Sequence, residues 1–402
     1  MIKQIRADQL KPGMFIHDLN CGWLDHPFMA NAFHVRDLAT VDKIVSLGIR
    51  ELYIDTVKGA DVQAARPQAE VNADLEARLQ EIARKRAEKP PVVDVKDEAA
   101  RARRLHGEAN KVVRGVLDDV RFGQKIRVDR VEPLVDSMIE SVFRNQDALL
   151  PLVRLKSLDD YTFEHAVSVS ALLVAFARSL DLPRPAIKEI ALGGLLLDIG
   201  KASLPEAILQ KPGKLNDAEF ARMQGHVGES LRLLAGLPGI GAITRQMVAE
   251  HHERFDGSGY PNRLAGEAIS LYGRMAAIVD VYDAITSDKV YSRGMAPRLA
   301  LKKLLEWSKH HFDAKLVQSF IRAIGIYPTG SLVRLESNRI GVVVEQNEGN
   351  LLEPVVRVFY HAAQQYYIPP EIVDLSRMQQ DRVASVESYE KWKIDPYQWL
   401  PG

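Results

Sequence analysis

The chain has 402 residues, room for about two or three structural units of ordinary size, and 46% of them are hydrophobic. Its 53 basic and 53 acidic residues cancel, which excludes the broad positive field that gathers a nucleic acid polymer. Cys21 is the single cysteine, so no intrachain disulfide forms, and no apolar run approaches the ~18 residues that membrane insertion needs. The N-terminal Met1-Ile-Lys-Gln-Ile-Arg lacks the apolar core of a signal peptide, and a cytoplasmic protein is expected.

Residues 1–65 mix short β-like pieces, Met14–His17 and Glu51–Ile54, with one helical stretch from Asp37 to Leu47. Gly13, Gly22 and Pro27 punctuate them as turns. A small α+β domain is expected, with Trp23, His26, Phe28 and His34 helping to fill its core. Residues 66–125 open with a charged helical stretch, Asp74 to Lys89, that ends at Pro90-Pro91 and has the composition of a mobile linker. A second helix then carries Leu105, Ala109, Val112, Val113, Val116, Leu117 and Val120 on one face. The stripe suits a helix packed on the following domain, with a homodimer seam as the alternative.

From 126 to 327 the pattern is almost continuously helical. Leu134, Val135, Met138, Ile139, Val142 and Phe143 repeat the stripe. Further helices are predicted over 161–180, 184–197, 216–235, 240–252, 270–286, 297–308 and 313–324, with Pro183, Pro205, Pro212 and Pro238 at the breaks. Beyond Tyr327 the texture changes, and Ser331–Glu336, Ile340–Glu345 and Pro354–Tyr360 read as three strands. The fold class is mainly α: a helical bundle with a small α+β domain before it and a short β-rich extension over 328–402.

The chemistry concentrates in His251-His252-Glu253-Arg254-Phe255-Asp256-Gly257-Ser258-Gly259-Tyr260-Pro261. On a continuous helix, neighbouring side chains point about 100° apart and cannot face one ion. At a helix end that opens into a glycine-rich loop, both imidazoles can turn to the same site, and the glycines let a ligand approach the backbone. His165, Asp198, His226 and Asp280 lie in or beside other predicted helices. Four imidazoles and two carboxylates suffice for a two-metal centre, and a mixed N/O set favours Fe, Mn, Zn or Ni over Ca or Mg. Two such ions suit hydrolysis of a phosphodiester. Lys201 stands three residues after Asp198, on the same helix face, within reach of a phosphate held there.

Asp198-Ile-Gly-Lys201, the His251–Pro261 segment and Asp280-Val-Tyr-Asp283-Ala-Ile-Thr-Ser-Asp288 together resemble the HD-GYP family, bacterial phosphodiesterases that cleave cyclic di-GMP within the HD-domain superfamily. The match runs from about Val131 to Tyr327. It implies an HD-domain helical bundle in which His165, Asp198, His226, His251, His252 and Asp280 are metal ligands and Asp198 bridges. Lys201 would lie near the scissile phosphate, with Gly259, Tyr260 and Pro261 on the substrate side. Residues 1–65 resemble a small domain of unknown function found ahead of some HD-GYP domains.

Three departures from the family pattern matter. Its paired His-Asp reads Leu197-Asp198 here, which by analogy leaves the first metal with His165, Asp198 and Asp280 and weakens it. The second keeps Asp198, His226, His251 and His252. Tyr161 stands where members with a third metal carry glutamate, so two divalent ions are expected, Fe or Mn before Zn or Ni. Lys289 and Ser292 stand where the family usually places an arginine and a lysine for the phosphates, with Arg293 adjacent. The expected activity is hydrolysis of a 3′–5′ phosphodiester of cyclic di-GMP to pGpG or GMP by metal-activated water. The alternative is a weak or inactive cyclic di-GMP receptor that signals through protein partners.

Overall fold

The N-terminal residues build an antiparallel sheet from β1 (Ile2–Arg6), β2 (Phe15–Asp18), β3 (Phe33–His34), β4 (Glu51–Asp55) and β5 (Arg66–Pro67), in the spatial order β3-β2-β4-β1-β5. The computed structural model describes residues 1–22, 28, 32–84, 91–154, 161–211, 213, 215–288, 294–347, 349–378, 381–395 and 398–400. Helix α1 (Leu38–Ser46) starts at Asp37, whose carboxylate accepts from the Thr40 amide at 2.8 Å. Ile5, Leu10, Ile16, Ile44, Leu52 and Ile54 form a core separate from that of the rest of the chain. Of the expected core aromatics, Phe28 packs at its edge, while His34 is exposed and meets Phe15 edge-on at 4.8 Å. Trp23 and His26 fall outside the described residues.

The charged stretch that follows is a helix docked on the bundle rather than a free linker. In α2 (Gln68–Ala83), Val71, Leu75, Leu79 and Ile82 recur at helical spacing and are buried in the main core. Each such burial contributes roughly 1.5–3 kcal/mol, more than the ~1 kcal/mol that any exposed charge pair on the opposite face returns. Glu76 adds ion pairs to Lys302 at 2.6 Å and to Arg298. Helix α3 (Val95–Arg121) buries the predicted stripe against α4 (Val128–Arg154) and α5 (Tyr161–Ser179), so that face is used within the chain. Helix α4 breaks at Asn145, where the amide nitrogen donates to the Val93 carbonyl and the oxygen accepts from the Asp147 amide.

The bundle continues with α6 (Arg184–Leu196), the single turn α7 (Glu206–Leu209), α8 (Asp217–Gln224), α9 (His226–Leu234), α10 (Ala242–Glu250), α11 (Leu271–Thr286), α12 (Pro297–Trp307) and α13 (Ala314–Ile324). Helices α5, α6, α10 and α11 pack on one another around buried residues such as Leu172, Phe176, Met247 and Ile278. The predicted helix over 216–235 divides at Gly225, and that over 240–252 stops at Glu250. A second antiparallel sheet closes the chain: β6 (Leu332–Leu335), β7 (Arg339–Glu345), β8 (Val355–His361), β9 (Tyr366–Asp374) and β10 (Val383–Val386), ordered β10-β6-β7-β8-β9, before the short α14 (Tyr389–Trp392). The first three strands are those expected; β9 and β10 are additional.

The two cores meet across a polar seam on α12. Glu306, 4% exposed, accepts from Gln4 Nε2 at 3.1 Å, Asn20 Nδ2 at 3.1 Å and the Tyr53 hydroxyl at 2.5 Å, all on one carboxylate oxygen. Lys303 reaches its other oxygen at 3.4 Å, and Trp307 donates to Asn20 at 3.1 Å. Burial and the charge of Glu306 push the Tyr53 hydroxyl pKa well up, keeping it a donor. Replacing Glu306 by leucine leaves these donors without their acceptor, and the expected cost is about 3 kcal/mol. Glu306→Gln, which retains one acceptor oxygen, should cost less; urea unfolding that places both variants at the parent midpoint would contradict this account.

Candidate metal centre

Helix ends assemble the centre. Helix α6 stops at Leu196, and Asp198 opens the 3-10 turn Ile199–Ser203, so its side chain sits where regular structure changes. In a 3-10 turn residues three apart eclipse, which sets Lys201 Nζ at 2.5 Å from Asp198 Oδ2. The expected shared face is thus produced by a tighter turn rather than by continued α-helix. Ser230 on α9 fixes that turn by accepting from the Gly200 amide at 2.8 Å and donating to the Leu197 carbonyl at 3.3 Å. Leu197 is buried within the main apolar core and brings no donor atom.

His226 is the first residue of α9, just past the end of α8, and His251 follows the last residue of α10. Carbonyls in the last turn of a helix have no partner within it. Here they orient the imidazoles: His226 Nδ1 donates to the Met223 carbonyl at 2.6 Å and His251 Nδ1 to the Val248 carbonyl at 2.9 Å. In the neutral form each ring then presents a bare Nε2 lone pair inward. The two Nε2 atoms lie 3.4 Å apart, at 3.1 Å and 3.7 Å from Asp198 Oδ1, which is buried with no hydrogen-bond donor. His252 joins them, its ring 4.0 Å from that of His251, and one donor atom from each of Asp198, His226, His251 and His252 falls within 4.8 Å of all the others. Lone pairs and an anionic oxygen facing each other repel unless a cation lies among them, so the donor set fits a metal ion.

A second group shares the same aspartate. His165 on α5, Asp198 and Asp280 on α11 also converge within 4.8 Å. His165 Nε2 stands 3.1 Å from Asp280 Oδ1 and 3.5 Å from Asp198 Oδ2. Its Nδ1 bonds Asp283 Oδ2 at 2.6 Å, and Ser168 donates to the other oxygen of Asp283 at 2.5 Å. This is the carboxylate–histidine arrangement that fixes the tautomer of a metal-ligating imidazole. Asp283 and Ser168 are functional side chains that the motif reading missed. Their signal was present: Asp280 and Asp283 are three apart and hence on one helix face.

The electrostatics separate the groups. Burial, reinforced by the neighbouring imidazoles and Lys201, holds the His252 pKa well below the ordinary histidine value; burial also lowers that of His226, against the pull of Asp198. Both stay neutral and available as donors. Burial would raise the Asp198 carboxyl, but Lys201 and the surrounding histidines keep it well below the usual range. Burial alone would lower His165, yet hydrogen bonds to Asp198, Asp280 and Asp283 outweigh it and push its pKa up to about 10. A site this rich in carboxylate demands positive charge, supplied by a proton or by a metal.

The loop after His252 folds back over the centre. Tyr260 stacks on the His252 ring, centroids 4.6 Å apart, and its amide donates to the His252 carbonyl at 3.1 Å. Gly259 is required by the loop itself: a Cβ there would lie 2.4 Å from the Arg254 nitrogen and 2.5 Å from the His252 oxygen, so the missing side chain makes room for protein rather than for a ligand. Glu253, buried, pins the far limb by accepting from the Asn262 amide at 2.7 Å and the Leu264 amide at 3.0 Å, a second role absent from the motif reading. Pro261 is exposed at the loop tip. Lys289 and Arg293 lie outside the described residues, as does the side chain of Tyr161.

Residues 2–131 match a domain of unknown function (DUF3391), and residues 147–316 match an HD domain. The chain is 42% identical over 396 residues to the cyclic di-GMP phosphodiesterase PA4108 of Pseudomonas aeruginosa, a match that spans 98% of this chain and 94% of that one. It is 38% identical over 167 residues to a cyclic di-GMP phosphodiesterase of Vibrio cholerae, 40% of this chain and 34% of the relative. It is 41% identical over 136 residues to the 3′3′-cGAMP-specific phosphodiesterase 1 of the same organism, 34% of this chain and 31% of the relative. Among the described residues no helix is long and apolar enough to cross a membrane.

Asp283 offers a test of the centre that leaves every candidate ligand in place. Asp283→Ala removes the partner that orients His165, and affinity for a divalent ion at that group should fall about 10–100-fold. Metal analysis after dialysis against a weak chelator should show loss confined to the His165 group. Equal loss from the His226–His251–His252 group, or none from either, would refute the assignment.

Proposed function

The chain belongs to the HD-GYP family, and on that premise we propose that it is a metal-dependent phosphodiesterase that opens cyclic di-GMP by hydrolysing one 3′–5′ bond. The observation that carries the proposal is the convergence of bare imidazole nitrogens on a buried, donor-free oxygen of Asp198, with Lys201 beside it. The end-to-end 42% identity to a protein named as a cyclic di-GMP phosphodiesterase supports the choice of substrate.

His226, His251 and His252 would hold one divalent ion, His165 and Asp280 the other, and Asp198 both. Fe or Mn suits this mixed N/O set best, with Zn or Ni as competitors. Leu197 stands where the family has a histidine, so the His165 group offers three protein donors and binds its ion more weakly. Such ions, when bound, lower the pKa of a water and offset charge on phosphoryl oxygens.

The remaining work falls to the chain. The Lys201 side chain is 24% exposed and paired with the buried Asp198, so a partly exposed cation stands beside the buried carboxylate. There it can hold a proton for the leaving 3′ oxygen or balance the phosphoryl charge. Tyr260, fixed against His252, offers a ring and a hydroxyl to the nucleotide, and Lys289 and Arg293 would add charge for its second phosphate. His165, held by Asp283, keeps a defined tautomer through the reaction. The product is linear pGpG.

Protein loaded anaerobically with Fe or Mn should convert cyclic di-GMP to pGpG, faster than it converts 3′3′-cGAMP run beside it. Asp198→Ala should abolish turnover. Lys201→Ala should lower kcat about 10²–10⁴-fold with the metals retained. Nucleotide binding without turnover under either metal would remove the enzyme and leave a receptor.

A further inference from the structure

The glycine-rich loop is held from two sides, and only the inner one belongs to its own domain. On the inner side, His252 and Glu253 tie down Tyr260, Asn262 and Leu264 through backbone hydrogen bonds. On the outer side the loop meets the turn between α1 and β4. Gly48 in that turn has φ +77°, and a Cβ on it would fall 2.4 Å from Ser258 Cβ and 2.9 Å from Ser258 Oγ. The N-terminal domain therefore lies directly on Ser258, two residues before Tyr260.

A charge pair flanks that contact. Asp256 Oδ1 accepts from the Ser258 amide at 3.0 Å and from its hydroxyl at 2.6 Å, shaping the bend that leads to Tyr260. Asp256 Oδ2 is buried with no hydrogen bond, and Arg50 Nε stands 3.6 Å from it. The Arg50 carbonyl in turn accepts from the Ala7 amide at 2.8 Å, which secures the arginine backbone to the N-terminal sheet region. Immediately before Asp256, the Phe255 amide donates to the His311 carbonyl at 2.9 Å, beyond the end of α12. The same α12 bears Glu306, on which Gln4 and Asn20 of the N-terminal domain converge.

We propose that the N-terminal domain is a structural part of the substrate site: Gly48 and Arg50 are positioning residues that clamp Asp256 and Ser258 and so hold Tyr260 over the metal centre. The proposal rests on the reading of this loop as the substrate side. It assigns the domain a task that requires no ligand of its own, and it makes any displacement of that domain felt first at the Asp256–Tyr260 bend.

The test uses the full, metal-loaded chain and reads hydrogen–deuterium exchange of the 253–264 segment, which is independent of turnover. Arg50 is half exposed, so Arg50→Ala should accelerate exchange there only about two- to fivefold, and Arg50→Lys should restore most of it. Gly48→Ala should act more strongly by forcing Ser258 away, and Gly48→Ala/Ser258→Gly, which removes the colliding atom, should recover protection relative to Ser258→Gly alone. The KM for cyclic di-GMP should rise in parallel with loop exchange while kcat changes little. Unaltered exchange of the loop in both Arg50→Ala and Gly48→Ala would overturn the clamp. A loosened loop with unchanged KM would overturn the positioning role. Failure of the parent chain to turn over nucleotide would count against the proposed activity alone, because loop exchange decides the clamp without it.

Discussion

One carboxylate sets the terms for the rest of the molecule. Asp198 is buried, ionised and turned with one oxygen towards each donor group. Taking a carboxylate out of water costs several kcal/mol even after the protein relaxes, so it persists only where compensating charge is guaranteed. Lys201, 2.5 Å away, supplies part of this, and a cation held among the histidines would supply the rest. The surrounding helices must therefore hold five donor side chains, from four other segments, within 4.8 Å of this one carboxylate. The dense apolar packing of α5, α6, α10 and α11 provides that rigidity, since close-packed interiors do not yield continuously.

The fold orients its imidazoles by two different devices. At α8–α9 and at the end of α10, the chain uses carbonyls that the helix leaves unpaired, so His226 and His251 gain a defined tautomer with no additional residue. His165 lies inside α5, where backbone carbonyls are already engaged, and needs a side chain from another helix, Asp283. The difference has an electrostatic consequence. Burial keeps the carbonyl-oriented His226 neutral, whereas the carboxylate-oriented His165 is drawn towards the charged form, so a metal there would compete with a proton. Fewer protein donors and a more basic imidazole would both weaken a metal at the His165 group relative to its neighbour.

Much of this was legible in the sequence, and the exceptions have physical causes. The vicinal histidines stood out because such a pair at a helix end has little structural purpose, and the family motifs pointed to the other four donors, two of them inside helices. Asp283, Ser168 and Glu253 escaped because a residue that serves another residue leaves no residue-type signature at its own position. Helix α2 was misread since Val71, Leu75, Leu79 and Ile82 are separated by charged residues, so composition spoke for a linker while spacing spoke for a buried face. Strand β9 was invisible for the opposite reason. It is an edge strand, mostly exposed, with Pro369-Pro370 at its centre, so neither alternation nor propensity marks it. Gly259 shows a subtler error: its glycine is demanded by the loop's own backbone, and a sequence cannot tell that from space left for a ligand.

The seam between the two cores follows a logic different from that of either core. An apolar interface would stabilise docking while tolerating small slides, because dispersion and burial have little directional preference. The contact on α12 instead gathers Gln4, Asn20 and Tyr53, from separate parts of the N-terminal chain, onto a single oxygen of Glu306. Three hydrogen bonds converging on one atom fix its place against the N-terminal chain, and the bonds from Lys303 and Trp307 to Asn20 Oδ1, at 2.8 Å and 3.1 Å, add a second point that restricts rotation about it. The buried charge adds little net stability for the desolvation it costs, and what such an arrangement gains is orientation. Orientation is also what a close contact at Gly48 demands: where a missing Cβ alone makes room for Ser258, a displacement of about one ångström becomes either a clash or a gap. A polar anchor on α12 and a glycine contact on the loop are thus two parts of one geometric requirement.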